Sequence, residues 1–117
     1  VLIALFDDVP LDRGPTYIAP ESIREVSRTL AASPDGVDFV NRSTAVQVMT
    51  RCEERVALTG KVGDLYVMHP FMLHSSSPNP SGSIRWMSNP VIYTHEPLRF
   101  DAPASPVEEL VVRALRD

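Results

Sequence analysis

The stretch GDLYVMHPFMLHSSSPNPSGSIRWMSNP, residues 63–90, decides how the chain is read. It holds two of the three histidines, the lone tryptophan and four of the eleven prolines. Gly63-Asp64 is a turn signal, and the apolar run after it has the make-up of a strand. FMLHSSS and SIRWMSNPVIYT read as two further strands, parted by the PNPSG loop. Side chains alternate along a strand, so His74 and Ser76 share one face while Leu73 and Ser75 take the other. On the next strand Arg85, Met87 and Asn89 share a face, and Trp86 and Ser88 point away. Two such polar faces turned inward would bring an imidazole, a hydroxyl and a guanidinium into a β interior, where each needs a partner. A metal ion would satisfy His74. A ligand carboxylate would satisfy Arg85 in bidentate fashion, with Ser76 donating as well. A hydrogen-bonded structural histidine and a surface arginine are the plainer readings, and spacing alone leaves both open.

Working outward, Val1 to Phe6 is a continuous apolar run of the kind found in buried strands. DDVPLDRGP, from Asp7 to Pro15, is a polar turn region in which Gly14 is expected at positive φ. TYIAP is a short second strand. PESIREVSRTLAAS predicts a helix with Ser22 and Glu25 as a capping box and Ile23, Val26 and Leu30 on one face. Residues 37–43 carry no clear signal. From Thr44 the period changes to two, so TAVQVMT and ERVALTG read as strands. SPVEELVVRAL predicts a last helix: Ser105 caps it, Pro106 takes its first position, Glu108 completes the box, and Val107, Leu110, Val111 and Leu115 form its apolar stripe. About seven short strands and two helices point to a mainly β domain, a small barrel or sandwich spanning 1–117.

Composition narrows the function. At 117 residues the chain has room for one modest core, and 44% hydrophobic residues suit a globular protein. A net charge of −4 argues against nucleic acid as a partner. No apolar run is long enough to span a membrane. A single cysteine, Cys52, allows no intrachain disulfide; it reads as a small apolar side chain in a strand, with the cytoplasm as the default compartment. His69 precedes Pro70 and is expected at a strand end, and His95 in a loop. The sequence contains no H-x-[DE]. The Asp7-Asp8 pair reads as a solvated turn. Tyr66, Met72, Trp86 and Met87 read as packing residues. The chain opens in the middle of an apolar run and without methionine, from which an upstream segment or a cleavage is expected.

The stretch 63–90 resembles the C-terminal core motif of the phytanoyl-CoA dioxygenase-like proteins, Fe(II)- and 2-oxoglutarate-dependent oxygenases on a double-stranded β-helix (jelly-roll, cupin-like) fold. The matching features are the G-D turn, the apolar strand, H-P, the distal histidine, small residues, P-N, and an arginine eleven positions after that histidine. DRGPTYIAPES is similar to the family's segment between the proximal metal motif and the core. SPVEELVVRAL resembles the tail of bacterial members. The resemblance implies His74 as the distal iron ligand. It implies Arg85 as the partner of the 2-oxoglutarate distal carboxylate, and Ser76 as a helper there. It also implies that His74 and Arg85 stand on facing sheets. The family's proximal H-x-D would lie just upstream of VLIALFD, so the chain is expected to supply one iron ligand of three and to be inactive by itself. An oxygenase of small-molecule substrates is one expectation. The other is a truncated, non-catalytic β module that dimerises through an open sheet edge.

Overall fold

A computed structural model describes residues 1–39 and 42–117; Val40 and Asn41, inside the stretch without a clear sequence signal, lie outside the described residues. The elements run β1 (Leu2–Leu5), a 3₁₀ turn (Leu11–Arg13), β2 (Thr16–Ala19), α1 (Ser22–Ala31), α2 (Arg42–Met49), β3 (Val56–Leu58), β4 (Leu65–Val67), β5 (Leu73–Ser75), β6 (Met87–Ser88) and α3 (Pro106–Arg116). The fold is mixed: two three-stranded sheets, ordered β4-β1-β6 and β3-β2-β5, and three α-helices. The expectation of a mainly β chain with two helices therefore gives way to a larger helical share. The chain divides into two compact units. One comprises Val1–Ile18, Arg55–Met68 and His74–Tyr93, and the other Ala19–Glu54, His69–Leu73 and Thr94–Asp117.

In the first unit β1 pairs antiparallel with β4 (Leu2 with Val67, Ile3 with Tyr66, Ala4 with Leu65) and with β6 (Ala4 with Ser88, Leu5 with Met87). Directly paired residues share a face. Ile3 and Leu5, 1% and 2% exposed, define the inner face. Leu65, Val67 and Phe6 are exposed on the other, whose apolar character runs on to Trp86 at 63% exposure. Trp86 is thus not a core residue, because the alternation that buries Met87 against Leu5 turns its neighbour outward. In the second sheet β2 pairs antiparallel with β3, Tyr17 opposite Ala57. Val9, buried, bridges to Gly60 beyond the strand ends.

The turn after β1 is solvent-accessible, as expected of the acidic pair, and is also cross-linked. Asp7 forms an ion pair with Arg13 at 2.5 Å. Asp8 accepts from the Val62 backbone N–H at 2.9 Å and from Lys61 Nζ at 3.0 Å. That N–H, and then the Lys61 side chain, hold the Asp8 carboxyl below its ordinary range. Gly14 takes φ 64°, as its place in the turn predicts. Gly63 likewise turns the chain into β4 with φ 94°.

In the second unit α1 packs on α2 and α3. Residues 44–49 are helical, against the strand reading of 44–50. Val48 and Cys52 are buried while Val46 is 59% exposed. A strand would put Val46 and Val48 on one face; an i, i+4 helical face buries Val48 with Cys52 and leaves Val46 outside. Cys52 is buried as expected, but in the segment that follows α2 rather than in a strand. In α3 the predicted cap forms: Ser105 Oγ accepts from the Glu108 N–H at 3.3 Å. Glu108 accepts in turn from the N–H groups of Arg99 and Ala104, at 2.6 and 2.9 Å, and these with the Ser105 hydroxyl hold its carboxyl below the ordinary range. The buried stripe is Val111 and Ala114, so Leu110 and Leu115 lie at its margins. In α1 the Ser22–Glu25 box is absent. Glu21 holds the N-cap position, and Ser22, fully buried, uses its hydroxyl on Ala19 O at 2.6 Å while accepting from the Leu73 N–H at 2.8 Å.

Candidate functional site

His74, Ser76 and Arg85 all lie in the first unit. His74 is the middle residue of β5, in the sheet β3-β2-β5, and is exposed. Ser76 follows that strand and is exposed too, so the polar face of this strand is not turned into a β interior in the way the alternation allowed. Arg85 stands two residues before β6, which belongs to the other sheet, β4-β1-β6. The histidine therefore stands in one sheet, and the arginine leads into a strand of the other.

Burial alternates into β6: Arg85 is half-buried, Trp86 exposed, Met87 half-buried. The period of two thus aligns Arg85 with Met87, which pairs with buried Leu5. Its Nη1 is buried and has no hydrogen-bond partner; among the described residues only Arg13 Nε shares that condition. A buried guanidinium N–H without an acceptor is costly, and native proteins leave few such groups. A carboxylate ligand supplies the matching acceptor, in the planar geometry that arginine binds best. Arg85 therefore fits a carboxylate-bearing ligand.

Iron is a different matter. Non-haem iron oxygenases hold the metal with two histidines and a carboxylate on one face. Among the described residues no group of three or more His, Cys, Asp or Glu side chains is placed to hold a metal ion. These residues by themselves do not complete an iron centre.

The loop between His74 and Arg85 is clamped by the turn that leads into β2. Ser77 Oγ donates to Pro15 O at 2.6 Å. A Cβ on Gly14 would stand 2.9 Å from Asn79 Cβ and 3.1 Å from Ser77 O, so only glycine lets the loop approach this closely. Asn79 closes the loop on itself, its amide donating to Ser83 O at 2.8 Å. The carbonyls of the residues on either side of Arg85 are tied as well. The Phe6 N–H donates to Trp86 O at 3.0 Å, and Arg13 Nη2 donates to Ile84 O. Arg13 is a residue the sequence reading passed over. Its only signal was one basic residue six positions after an acidic pair, in a turn taken as solvated.

The other histidines stand apart from this arrangement. His69 follows β4, as expected near a strand end, but is buried in the second unit. Its Nδ1 accepts from the Phe71 N–H at 3.0 Å, so its Nε2 carries the proton and donates to Val107 O at 3.0 Å. Both nitrogens are used structurally. His95 is an exposed loop residue, as predicted. Tyr66 is half-buried and donates its hydroxyl to Thr59 O. Met72 and Met87 are half-buried. No described helix is long and apolar enough to cross a membrane.

No curated protein matches the chain, and no solved structure does. A family model does match: the one described as Phytanoyl-CoA dioxygenase (PhyH) covers residues 1–87, a span that includes His74, Ser76 and Arg85 and most of the chain's 117 residues. On that match the chain belongs to the phytanoyl-CoA dioxygenase family.

Proposed function

We propose that this chain carries the cosubstrate-binding part of an Fe(II)- and 2-oxoglutarate-dependent dioxygenase that hydroxylates a small molecule. Arg85 clamps the distal carboxylate of 2-oxoglutarate, Ser76 donates to the same carboxylate, and His74 is the distal metal ligand. The single observation that carries this reading is the buried, partnerless Arg85 Nη1 in a chain of this family. Topology supports it. From β3 to β6 successive strands alternate between the two sheets, the pattern of a double-stranded β-helix. Bound iron would supply oxygen activation; the chain's own residues hold and orient the cosubstrate. A fixed, half-buried guanidinium would set both the depth and the direction in which a five-carbon diacid lies. The test is thermal unfolding with and without 2-oxoglutarate. A ligand that binds only the folded protein must raise its melting temperature. The rise is expected in the wild type and lost in Arg85→Ala; an unchanged melting temperature in both would remove the reading.

A second reading, a non-catalytic module that pairs with another copy, draws on the open edges β4 and β6 and on the exposed Leu65 and Val67. Exposed apolar faces of this kind mark contact surfaces. Its mark would be a concentration-dependent dimer in sedimentation, with no response to 2-oxoglutarate.

A further inference from the structure

We infer that Arg13 is a positioning residue for Arg85, and that it sets the chain's preference for ligands bearing a second carboxylate. The inference rests on the proposed role of Arg85 as the carboxylate clamp.

Arg13 ends the 3₁₀ turn, and the left-handed Gly14 that follows reverses the chain directly after it. Its side chain is 19% exposed and makes contacts in three directions. Nη2 pairs with the Asp7 carboxylate at 2.5 Å and also donates to Ile84 O. Nη1 donates to Asp8 O at 3.1 Å. Ile84 is the residue immediately before Arg85, so the peptide that launches the clamp is held by a guanidinium anchored to an acid. On the other side the carbonyl of Trp86, the next residue, accepts from the Phe6 N–H. Between these two fixed carbonyls the Arg85 side chain has a defined starting point.

Two observations raise this above ordinary loop bracing. Ile84 and Trp86 are both exposed, so apolar burial does not hold this segment, and polar ties must. The described residues contain two orphaned side-chain donors, and they belong to Arg13 and Arg85. The fold leaves donors unmatched in the same hydrogen-bonded pair of segments. Each such donor calls for an acceptor from outside the described residues, a water or a ligand. Lysine in place of Arg13 could reach one acceptor but not span Asp7, Asp8 and Ile84 together, because its ammonium is a point charge and not a fork.

The test compares calorimetric affinities for 2-oxoglutarate and 2-oxobutyrate, which differ in the second carboxylate, in wild type, Arg13→Ala, Arg13→Lys and Asp7→Asn. Wild type is expected to prefer 2-oxoglutarate. Arg13→Ala should lose that preference by about tenfold, as expected when a charged hydrogen bond is misaligned. Arg13→Lys should restore only part of it. Asp7→Asn leaves Arg13 its carbonyl contacts and should show a smaller loss, which keeps the inference testable if Arg13→Ala does not fold. A merely structural role would lower stability while leaving the ratio of the two affinities unchanged, and that result overturns the inference. A wild type without any preference would instead overturn the clamp itself.

Discussion

Replacing Ser22 with alanine should damage the chain far more than its small volume suggests. The side chain is fully buried, and its hydroxyl serves two backbone groups: it donates to Ala19 O at 2.6 Å and accepts from the Leu73 N–H at 2.8 Å. Alanine leaves a carbonyl and an N–H without a partner. Each buried orphan costs about 1–3 kcal/mol, so the expected loss is about 2–6 kcal/mol. For a chain of this size that corresponds to a fall of roughly 10 °C or more in melting temperature. The contrast is Ser27, in the same helix and also buried, whose hydroxyl only donates back to Ile23 O at 2.6 Å. That carbonyl keeps its helical partner, so Ser27→Ala should cost less than about 1 kcal/mol. Thermal unfolding followed by circular dichroism measures both. Equal losses in the two variants would refute the reasoning, since they would mean that the contacts to Ala19 and Leu73 contribute nothing beyond burial. Leu73 opens β5 and precedes His74, so Ser22→Ala should also loosen the strand that carries the candidate ligand.

Gly14→Ala should cost about 1–2 kcal/mol for the left-handed backbone alone. The new Cβ, 2.9 Å from Asn79 Cβ, should in addition displace the loop between His74 and Arg85 and weaken 2-oxoglutarate binding, which titration of the refolded variant would measure. Asp8 and Glu108 both have folded carboxyl pKa values below their unfolded ones. Their stabilisation is therefore complete above the ordinary carboxylate range near about 4, and is lost as pH falls through it. Stability should be level around neutrality and decline in acid. Glu108→Gln should flatten the decline, and denaturant titrations across that range would detect it; an acid limb as steep as the wild type's would count against the account.

Local signals carried the parts of this fold that local physics decides. Ser105, Pro106 and Glu108 specify a helix start wherever they occur in that order, and α3 has that start. Gly14 and Gly63 mark turns because left-handed backbone suits glycine. The segment 44–50 misled because valines at alternate positions satisfy a strand pattern, while Val48 and Cys52 satisfy a helical one equally well. Tertiary contact with α1 decides between them, and a short window does not contain it. Ser22 was read as half of a capping box for a similar reason: its true partner, Leu73, lies 51 residues away. At the candidate site His74, Ser76 and Arg85 were legible through motif spacing. Arg13 was not, because its contact with Ile84 joins residues 71 positions apart across a turn of ordinary composition. The exposure of Trp86 was legible in the alternation itself, once Arg85 and Met87 were given the inner face.

Calorimetric titration of 2-oxoglutarate against 2-oxobutyrate, in wild type and in Arg85→Ala, tests the central claim most directly. The two ligands share the 2-oxo acid end and differ in the carboxylate assigned to Arg85. A charged hydrogen bond to a buried guanidinium contributes about 1.5–3 kcal/mol, so the wild type should favour 2-oxoglutarate by about tenfold or more. Arg85→Ala should bind both ligands alike and unfold at or above the wild-type temperature, since it removes an orphaned buried donor. Equal affinities in the wild type, or a preference that survives Arg85→Ala, would contradict the account.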